Sequence, residues 1–313
     1  MKKYQNKQVT LYQADCLKLL KTLSDDSVDL IATDPPYFRV KGDAWDNQWA
    51  DKNAFFDWLD DVLVEFARVL KPNGSLYLFA GPHLATEVEG VVSRRFNVLN
   101  HIIWRKKNGR HLGCCKESLR KYFPQTEHIV FAQSKKPKPF AYEPILRYLE
   151  DARLKAGVSR AAVDKACGCK MSGHWFGRSQ FSIPSESHYL TINDLFGRTL
   201  KPYAVFKNAF TVLRDLSKNA RRTFNVTKHV HYTNVWDFDT VRWYKGKHPC
   251  EKPLDLMEHI INTSSLPGDV VFDAFTGSGS TALACRSTGR TFIGCEMGEA
   301  EFALAVERLG VII

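Results

Sequence analysis

Four consecutive residues, Asp34-Pro35-Pro36-Tyr37, have the residue types for chemistry on an amine. Each proline fixes φ at about −65° and lacks an N–H, so the corner is rigid and its backbone carbonyls stay free to accept hydrogen bonds. Asp34 and these carbonyls can accept from the N–H groups of an exocyclic amine, and the Tyr37 ring can stack on a planar base. The stretch therefore predicts an amine site, with an ordinary Pro-Pro turn as the alternative.

A second motif combines a glycine loop with an acidic residue. The loop, Thr276-Gly277-Ser278-Gly279, follows a predicted buried strand at 269–275, and a helix and a strand at 291–296 come after it. Glu296 ends that later strand 17 residues beyond Gly279, close to the spacing at which an acid meets a ribose hydroxyl. This order of strand, glycine loop, helix, strand and acid predicts a site for a nucleoside cofactor.

The same loop also fits an NAD-dependent dehydrogenase, because Gly277, Gly279 and Ala282 satisfy the dinucleotide fingerprint. A dehydrogenase has no evident use for the Asp34 corner, nor for the basic insert at 139–245 that separates the corner from the loop. An amine site and a cofactor site on two halves of one sheet account for both motifs.

The elements that position these motifs read as an open α/β sheet. A strand at 8–12, a short helix at 16–23 and a strand at 28–33 form a β-α-β unit, so Asp15 and Asp34 both follow the carboxyl ends of parallel strands, where open sheets bind ligands. Apolar periodicity predicts a helix at 53–70 and strands at 75–79, 98–104 and 127–132. The fold class is therefore α/β, with a doubly wound, mostly parallel sheet.

The composition indicates an anionic partner. The net charge is +10 with a pI of about 9.1, and no stretch is apolar for long enough to span a bilayer, so nucleic acid is favoured over a membrane. The basic N-terminus has no apolar run behind it and does not look like a secretory signal. The eight cysteines are too sparse for a disulfide framework and lack Cys-x-x-Cys spacing, so we expect a reducing cytoplasm and no metal site.

The alternation of strands and helices stops near residue 139 and returns near 246. We therefore predict three segments: a first catalytic half at 1–138 with the amine site, a target-recognition insert at 139–245, and a second catalytic half at 246–313 with the cofactor site. In the insert, a helix from Ser159 to Gly168 and a short helix near 172–177 are typical of a helix-turn-helix, although many helical hairpins bind nothing.

Polar and basic residues near these elements are the predicted DNA contacts. Basic clusters at strand ends suit contact with phosphates, although charge runs are more often solvated loops. The predicted contacts are Arg105, Lys106, Lys107 and Arg110 after a strand of the first half, and Lys170, Ser172, His174 and Arg178 on the helix pair of the insert.

Three motifs, in this order, resemble those of S-adenosylmethionine-dependent DNA amino-methyltransferases of the beta arrangement. They are Asp34-Pro35-Pro36-Tyr37, His248-Pro249-Cys250-Glu251-Lys252-Pro253 and Phe275-Thr276-Gly277-Ser278-Gly279. The resemblance covers residues 8–133 and 246–309, and the insert matches only in position. It implies a Rossmann-like, circularly permuted sheet of seven strands, in which the strands before Asp34 and Gly277 are neighbours. The target base would be flipped out of the duplex into the corner.

The resemblance also implies roles for individual residues. Asp34, Pro35, Pro36 and Tyr37 would be catalytic, with Asp34 and the Pro35 carbonyl accepting hydrogen bonds from the amine, and no cysteine nucleophile is needed. The cofactor residues would be Asp15 and Cys16 at the adenine ring, Asp273, Phe275, Thr276, Gly277, Ser278 and Gly279 at the methionine part, Glu296 at the ribose, His248 and Lys252 near the carboxylate, and Asp34 beside the methyl group.

The choice of base also follows from the resemblance. The family pairs Asp at the first corner position more often with adenine and Ser with cytosine, so we predict methylation of adenine N6 in duplex DNA. Cytosine N4, RNA or protein amines, and a catalytically idle helix-turn-helix protein are the alternatives; intact Asp34, Tyr37, Gly277, Gly279 and Glu296 argue against the last. We expect a bacterial or phage enzyme near the nucleoid. Its recognition sequence, its link to restriction and its oligomeric state, with a homodimer as one option, stay open.

Overall fold

The computed structural model describes residues 1–40, 42, 46–108, 115–137, 140–219, 222–226 and 232–310. The chain forms two compact units, one made of Met1–Pro137 and Arg222–Ile313 and the other of Lys138–Arg221. The larger unit contains a sheet to which both ends of the chain contribute, and the smaller unit is helical.

Nine strands among the described residues form one sheet in the larger unit. They are β1 (Lys2–Gln5), β2 (Val9–Gln13), β3 (Val28–Thr33), β4 (Leu70–Ala80), β5 (Phe96–Lys106), β6 (Thr126–Ser134), β7 (Val235–Phe238), β8 (Val270–Asp273) and β9 (Thr291–Glu296). Their order across the sheet is β1-β2-β9-β8-β3-β4-β6-β5-β7. The run from β2 to β4 is parallel, whereas β6 is antiparallel to both of its neighbours. The sheet is therefore mostly parallel, as predicted.

The described part of the chain also contains eleven α-helices. They are α1 (Cys16–Leu20), α2 (Lys52–Val69), α3 (Ala85–Arg95), α4 (Glu143–Lys155), α5 (Arg160–Cys167), α6 (Ser172–Trp175), α7 (Glu186–Leu195), α8 (Tyr203–Asn219), α9 (Leu254–Ser264), α10 (Ser280–Thr288) and α11 (Glu299–Gly310). Helices α4 to α8 belong to the smaller unit and the others to the larger one.

Helices cover both faces of the sheet. Its central strand, β3, is therefore buried on both sides. Ile31 packs into a cluster with Leu59 and Phe66 of α2. Leu30 and Ala32, which point to the opposite face, pack into the cluster that α9 and α10 cover. Since both faces are filled, the space left for a ligand is at the ends of the strands.

The prediction that the strands before Asp34 and Gly277 are neighbours is confirmed, because β3 pairs with β8 in parallel. The predicted count of seven strands is too low, since β1 and β7 add a strand at each edge of the sheet. β7 was missed because it is only four residues long within a stretch without periodicity. It is held by burial of Trp236 and Phe238 and by pairing with β5.

The smaller unit begins near the predicted boundary at 139 but ends at Arg221, not at 245, because the later residues return to the sheet as β7. Its helices pack around an apolar core that includes Leu149, Tyr189 and Phe206. Helix α5 follows the prediction: the Ser159 hydroxyl accepts a hydrogen bond from the Ala162 N–H at 3.1 Å, and Gly168 ends the helix in the left-handed conformation.

Among the helices that the structure describes, none is long and apolar enough to cross a membrane.

Candidate active site

A cavity of about 1310 Å³ opens at the carboxyl edge of the parallel strands in the larger unit. Its walls bring together the Asp34 corner after β3, the glycine loop after β8, Glu296 at the end of β9 and Asp15 after β2. The volume exceeds the several hundred Å³ that a single small ligand usually needs. The cavity therefore has room for two ligands side by side.

The glycine loop is held by the acid at the end of the neighbouring strand. Glu296 accepts hydrogen bonds from the N–H groups of Gly277 and Gly298, both at 2.9 Å, one on each carboxylate oxygen. Gly277 and Gly279 have φ of +50° and +83°, a region that strongly favours glycine. Burial raises the pKa of Glu296. Because each carboxylate oxygen has two lone pairs, both can still accept a bond from a ligand hydroxyl.

The Asp273 carboxylate, which borders the same cavity, is hydrogen-bonded within the protein. It is buried and accepts hydrogen bonds from the hydroxyls of Thr33 at 2.7 Å and Thr281 at 2.6 Å, and from the Phe275 N–H at 3.1 Å. Burial raises its pKa to about 6. Asp273 thereby links the loop to β3 and α10, and the predicted direct contact with the methionine part, for which Oδ2 keeps a lone pair, stays a prediction.

Asp15 and Cys16 lie where β2 leads into α1. The Asp15 side chain caps this helix by accepting from the Lys18 N–H at 3.0 Å. Cys16 is 5% exposed, and burial raises its pKa to about 12, so the side chain is a neutral packing thiol that borders the cavity. Both residues line the cavity, and their place at the adenine end of a cofactor stays a prediction.

His248 borders the glycine loop. A Cβ atom added to Gly277 would lie 3.4 Å from the His248 ring, so the loop and the ring are in close contact. The His248 Nδ1 accepts from the Cys250 N–H at 3.2 Å, and burial lowers the pKa of the ring, which favours the neutral form. Phe275, the first residue of its motif, packs against Trp58 with ring centroids 5.7 Å apart.

The Asp34 corner is locked by a residue that sequence reasoning missed, Asp46. This fully buried side chain accepts hydrogen bonds from the N–H groups of Tyr37 at 2.9 Å and Val40 at 2.7 Å. Between them, Phe38 and Arg39 adopt positive φ of 56° and 58°, an unfavourable conformation for residues with side chains. Asp46 therefore fixes a strained turn directly after Tyr37.

A network of four charged side chains surrounds the corner. The Lys252 ammonium group donates to Asp34 Oδ2 and lies 3.3 Å from Glu127 Oε2. Lys106 donates to Glu127 Oε1 at 2.6 Å, and the Tyr37 hydroxyl donates to Glu127 Oε2 at 3.2 Å. Lys252 is therefore paired at the amine corner and Lys106 is paired with Glu127, and both residues line the cavity. The predicted contacts of Lys252 with a cofactor carboxylate and of Lys106 with a DNA phosphate stay predictions.

Opposing effects set the pKa values in this network. Burial raises the pKa of Asp34, and the Lys252 ammonium opposes that rise. Burial also acts to raise the pKa of Glu127, but Lys252 and Lys106 outweigh it and lower the pKa to about 2. Burial alone would lower the pKa of Lys252, yet the carboxylates of Asp34 and Glu127 raise it. Lys252 thus keeps its proton and Glu127 its negative charge.

Asp34 has one oxygen available for a ligand. Oδ2 is paired with Lys252, whereas Oδ1 is buried and has no hydrogen-bond partner among the described residues. Leaving a charged acceptor buried and unpaired is unfavourable, so this oxygen suits a donor that enters the cavity. Pro35 and Pro36 line the cavity beside it, in agreement with the predicted amine site.

Several predicted DNA contacts have partners within the protein. Arg105 makes two hydrogen bonds to Asp237, at 2.7 and 2.6 Å, because β5 pairs with β7. Ser172 is 4% exposed and donates to Asp164, so it cannot reach DNA. The sequence predicts Ser172 as a DNA contact because a short polar helix does not indicate which of its faces is buried.

The other predicted contacts differ in exposure. Arg178 is exposed but paired with Glu143, and His174 Nδ1 lies 3.1 Å from the Gln180 carbonyl oxygen. Lys107 and Lys170 are exposed. Arg110 lies outside the described residues.

In the part of the chain that the structure describes, no three His, Cys, Asp or Glu side chains form a group that could hold a metal ion.

Comparisons with known proteins bear on this arrangement. Residues 28–307 match the model of the family described as DNA methylase. The DNA adenine methyltransferase YhdJ of Escherichia coli strain K12 is 27% identical over 99% of this chain and 85% of its own length. The Type II methyltransferase M1.MboII of Moraxella bovis is 28% identical over 92% of this chain and 91% of its own.

Solved structures share the fold. The crystal structure of the M1.HpyAVI–SAM complex superposes with a TM-score of 0.52 at 22% identity, covering 96% of this chain and 99% of its own. The PvuII DNA methyltransferase, described as cytosine-N4-specific, superposes with a TM-score of 0.55 at 15% identity, covering 97% and 87%. At these identities the likeness shows the Rossmann-like methyltransferase fold.

Proposed function

The chain belongs to the DNA methylase family, and we propose that it transfers a methyl group from S-adenosylmethionine to the N6 amine of adenine in duplex DNA. The observation that carries the proposal is the single cavity in which the free oxygen of Asp34 and the glycine loop after β8 lie together. Asp34 offers an acceptor for an amine, and the loop with Glu296 offers a cradle for a nucleoside.

The residues around the loop fit the cofactor. Both oxygens of Glu296 retain lone pairs for the ribose hydroxyls, and the N-terminus of α10, directly after Gly279, suits the methionine carboxylate. Asp15 and Cys16, which line the cavity, would border the adenine end. When bound, S-adenosylmethionine supplies an electrophilic methyl group on its sulfonium. The loop residues, Glu296 and Asp15 would hold it next to the corner.

At the corner, Asp34 and the Pro35 carbonyl accept the two N–H groups of the target amine. The nitrogen lone pair is delocalised into the base, and these bonds favour a tetrahedral nitrogen whose lone pair faces the methyl group. The nitrogen would gain positive charge as it takes the methyl group, and the Asp34 carboxylate would stabilise that charge. Oδ1 of Asp34 then takes the proton that the nitrogen must lose, and Tyr37 stacks on the base.

Adenine is the proposed base for two reasons. In the DNA amino-methyltransferases that this sequence resembles, the first corner position is more often Asp in enzymes that methylate adenine, and Asp34 occupies that position. The E. coli relative is named as a DNA adenine methyltransferase. The fold does not discriminate, because a cytosine-N4-specific enzyme shares it. The base assignment therefore needs a direct measurement of the product.

DNA would approach the open mouth of the cavity, with the target base flipped out of the stack. Three basic residues that line the cavity, Lys121, Arg242 and Lys247, suit the neighbouring phosphates, and exposed Lys107 is a further contact. We propose that the smaller helical unit recognises the target sequence, with Lys170 on its surface. The net charge of +10 supports an anionic substrate.

We place the enzyme in the bacterial cytoplasm, at the nucleoid, because its proposed substrate is there. A homodimer remains a prediction.

The test is to replace Asp34 with Ala and to measure methyl transfer and cofactor binding separately. Since Asp34 contacts the amine and not the glycine loop, transfer should fall by about a hundredfold or more while the Kd for S-adenosylmethionine stays within about twofold. Asp61→Ala, at an exposed position on α2, is the matched control and should leave both unchanged. Equal losses of transfer and cofactor binding in Asp34→Ala would contradict the division of roles.

A further inference from the structure

We infer that Lys252 and Glu127 are positioning residues for the amine site. Lys252 holds one oxygen of Asp34 so that the other is left for the amine, and Glu127 balances the charge of Lys252. The inference rests on the proposed function, because it concerns how Asp34 is prepared for the target base.

The contacts place Lys252 between two carboxylates. Its ammonium group donates to Asp34 Oδ2, lies 3.3 Å from Glu127 Oε2, and stands over the rings of Phe79 and Tyr37, 5.1 and 5.7 Å from their centroids. The residue is 8% exposed. A charge buried among aromatic rings is retained only when it is paired, so the two carboxylates fix its position.

This pairing separates the functions of the two Asp34 oxygens. Oδ2 is occupied by Lys252, and Oδ1 is buried without a hydrogen-bond partner among the described residues. Because Lys252 holds Oδ2, the carboxylate cannot rotate freely, and the orientation of Oδ1 is fixed. An amine N–H that enters the cavity supplies the missing donor.

The charges explain why Glu127 is needed. Positive charge develops on the target nitrogen during methyl transfer, and an unbalanced Lys252 ammonium beside Asp34 would oppose it. Glu127 is held by Lys106 at 2.6 Å and by the Tyr37 hydroxyl at 3.2 Å, which keeps its second carboxylate oxygen next to Lys252. Two ammonium groups and two carboxylates leave the network neutral before the substrate enters.

Other ionisable groups near Asp34 do not replace this pair. Tyr37 stays neutral because burial raises its pKa well above the usual range. Asp273 lies on the adjacent strand, and the negative charge of Asp34 contributes to raising its pKa, so Asp273 cannot replace the Lys252 cation. Lys106 reaches Asp34 only through Glu127. Among the described residues, Lys252 is therefore the cation in direct contact with Asp34.

The test is the pH dependence of kcat for methyl transfer in the wild type, Lys252→Met and Glu127→Gln. The acidic limb reports protonation of the carboxylates that transfer requires. Asp273 also titrates in this range, with a pKa of about 6, but Lys252 pairs with Asp34 and Glu127, so a shift of the limb on loss of Lys252 is assigned to Asp34. Loss of the Lys252 cation should move this limb to higher pH by about one to three units, as expected for a charge partner within hydrogen-bond reach. Loss of the Glu127 charge should move it to lower pH and reduce the plateau, with the KM for S-adenosylmethionine unchanged in both.

A matched control is an ion pair between β4 and β3. Lys71 pairs with Asp29 at 2.7 Å near the amino end of β3, away from the cavity, so Lys71→Met removes a similar ion pair and should leave the limb in place. Lys252→Arg keeps the positive charge, so its acidic limb should lie closer to that of the wild type than the limb of Lys252→Met does. If Lys252→Met does not fold, the predicted shift of the acidic limb to lower pH in Glu127→Gln still tests the inference.

Limbs that stay in place, or that move in the same direction in Lys252→Met and Glu127→Gln, would overturn the inference. The profile is measured on whichever base the wild type methylates. A cytosine product would thus refute the proposed base without touching the inference, whereas no transfer by the wild type would refute both.

Discussion

At the scale of single residues, the two oxygens of Asp34 have different surroundings, one paired with Lys252 and one without a partner among the described residues. The sequence predicts the corner itself, because Asp, two prolines and Tyr are sufficient to indicate an amine acceptor. It does not predict Glu127, which reads as the polar start of an apolar strand. Its role depends on the β5–β6 register that places it opposite Trp104, and on distant Lys252. Neither the register of these strands nor the contact with Lys252 can be predicted from the spacing of residues near Glu127.

Tyr37 offers a prediction at this scale, because its ring and its hydroxyl have separate functions. Tyr37→Phe keeps the ring and loses the hydroxyl, with its hydrogen bond to Glu127 and its interaction with Asp34, so kcat should fall by less than about tenfold. Tyr37→Ala loses the stacking surface for the base, which is worth about 1–3 kcal/mol, and should raise the KM for DNA by about ten- to a hundredfold. Steady-state kinetics on duplex DNA distinguish the two, and equal effects of both variants would exclude stacking.

At the scale of elements, the glycine loop is set by the strand before it and the helix after it. The buried runs of β3 and β8, the loop and α10 are predictable because apolar strands and glycine turns have strong local signals. The sequence does not show that Asp273 accepts hydrogen bonds from Thr33 and Thr281, because both contacts depend on how separate elements pack. The short β7 was missed because its burial depends on pairing with β5.

Two glycines at opposite ends of α10 give a prediction with an internal control. Gly279 and Gly289 have φ of +83° and +75°, so Ala at either position should lower the free energy of unfolding by about 1–2 kcal/mol. Only Gly279 belongs to the cofactor loop, where an added Cβ would also lie 3.5 Å from Ala305.

Gly279→Ala should therefore raise the Kd for S-adenosylmethionine, whereas Gly289→Ala should not. Denaturant unfolding and calorimetric titration measure the two effects. A similar Kd increase in both variants would mean that general loss of stability, and not the loop, controls cofactor binding.

At the scale of the whole molecule, the order of motifs along the chain predicts that an insert divides the two halves of the sheet. The start of the smaller unit was close to the prediction, but its end at Arg221 was not, because the following residues rejoin the sheet edge. The charge of +10 indicates an anionic partner without showing which residues contact it. Arg105 and Arg178 illustrate this, since both are paired with acids of the protein.

The most direct test identifies the methylated base. The purified protein is incubated with labelled S-adenosylmethionine and unmethylated duplex DNA, the DNA is digested to nucleosides, and the labelled nucleoside is identified by mass spectrometry, with Asp34→Ala as the blank. We predict label on N6-methyladenine nucleoside alone. Label on N4-methylcytosine would contradict the base assignment, and no label in DNA while the cofactor is bound would contradict the proposed activity.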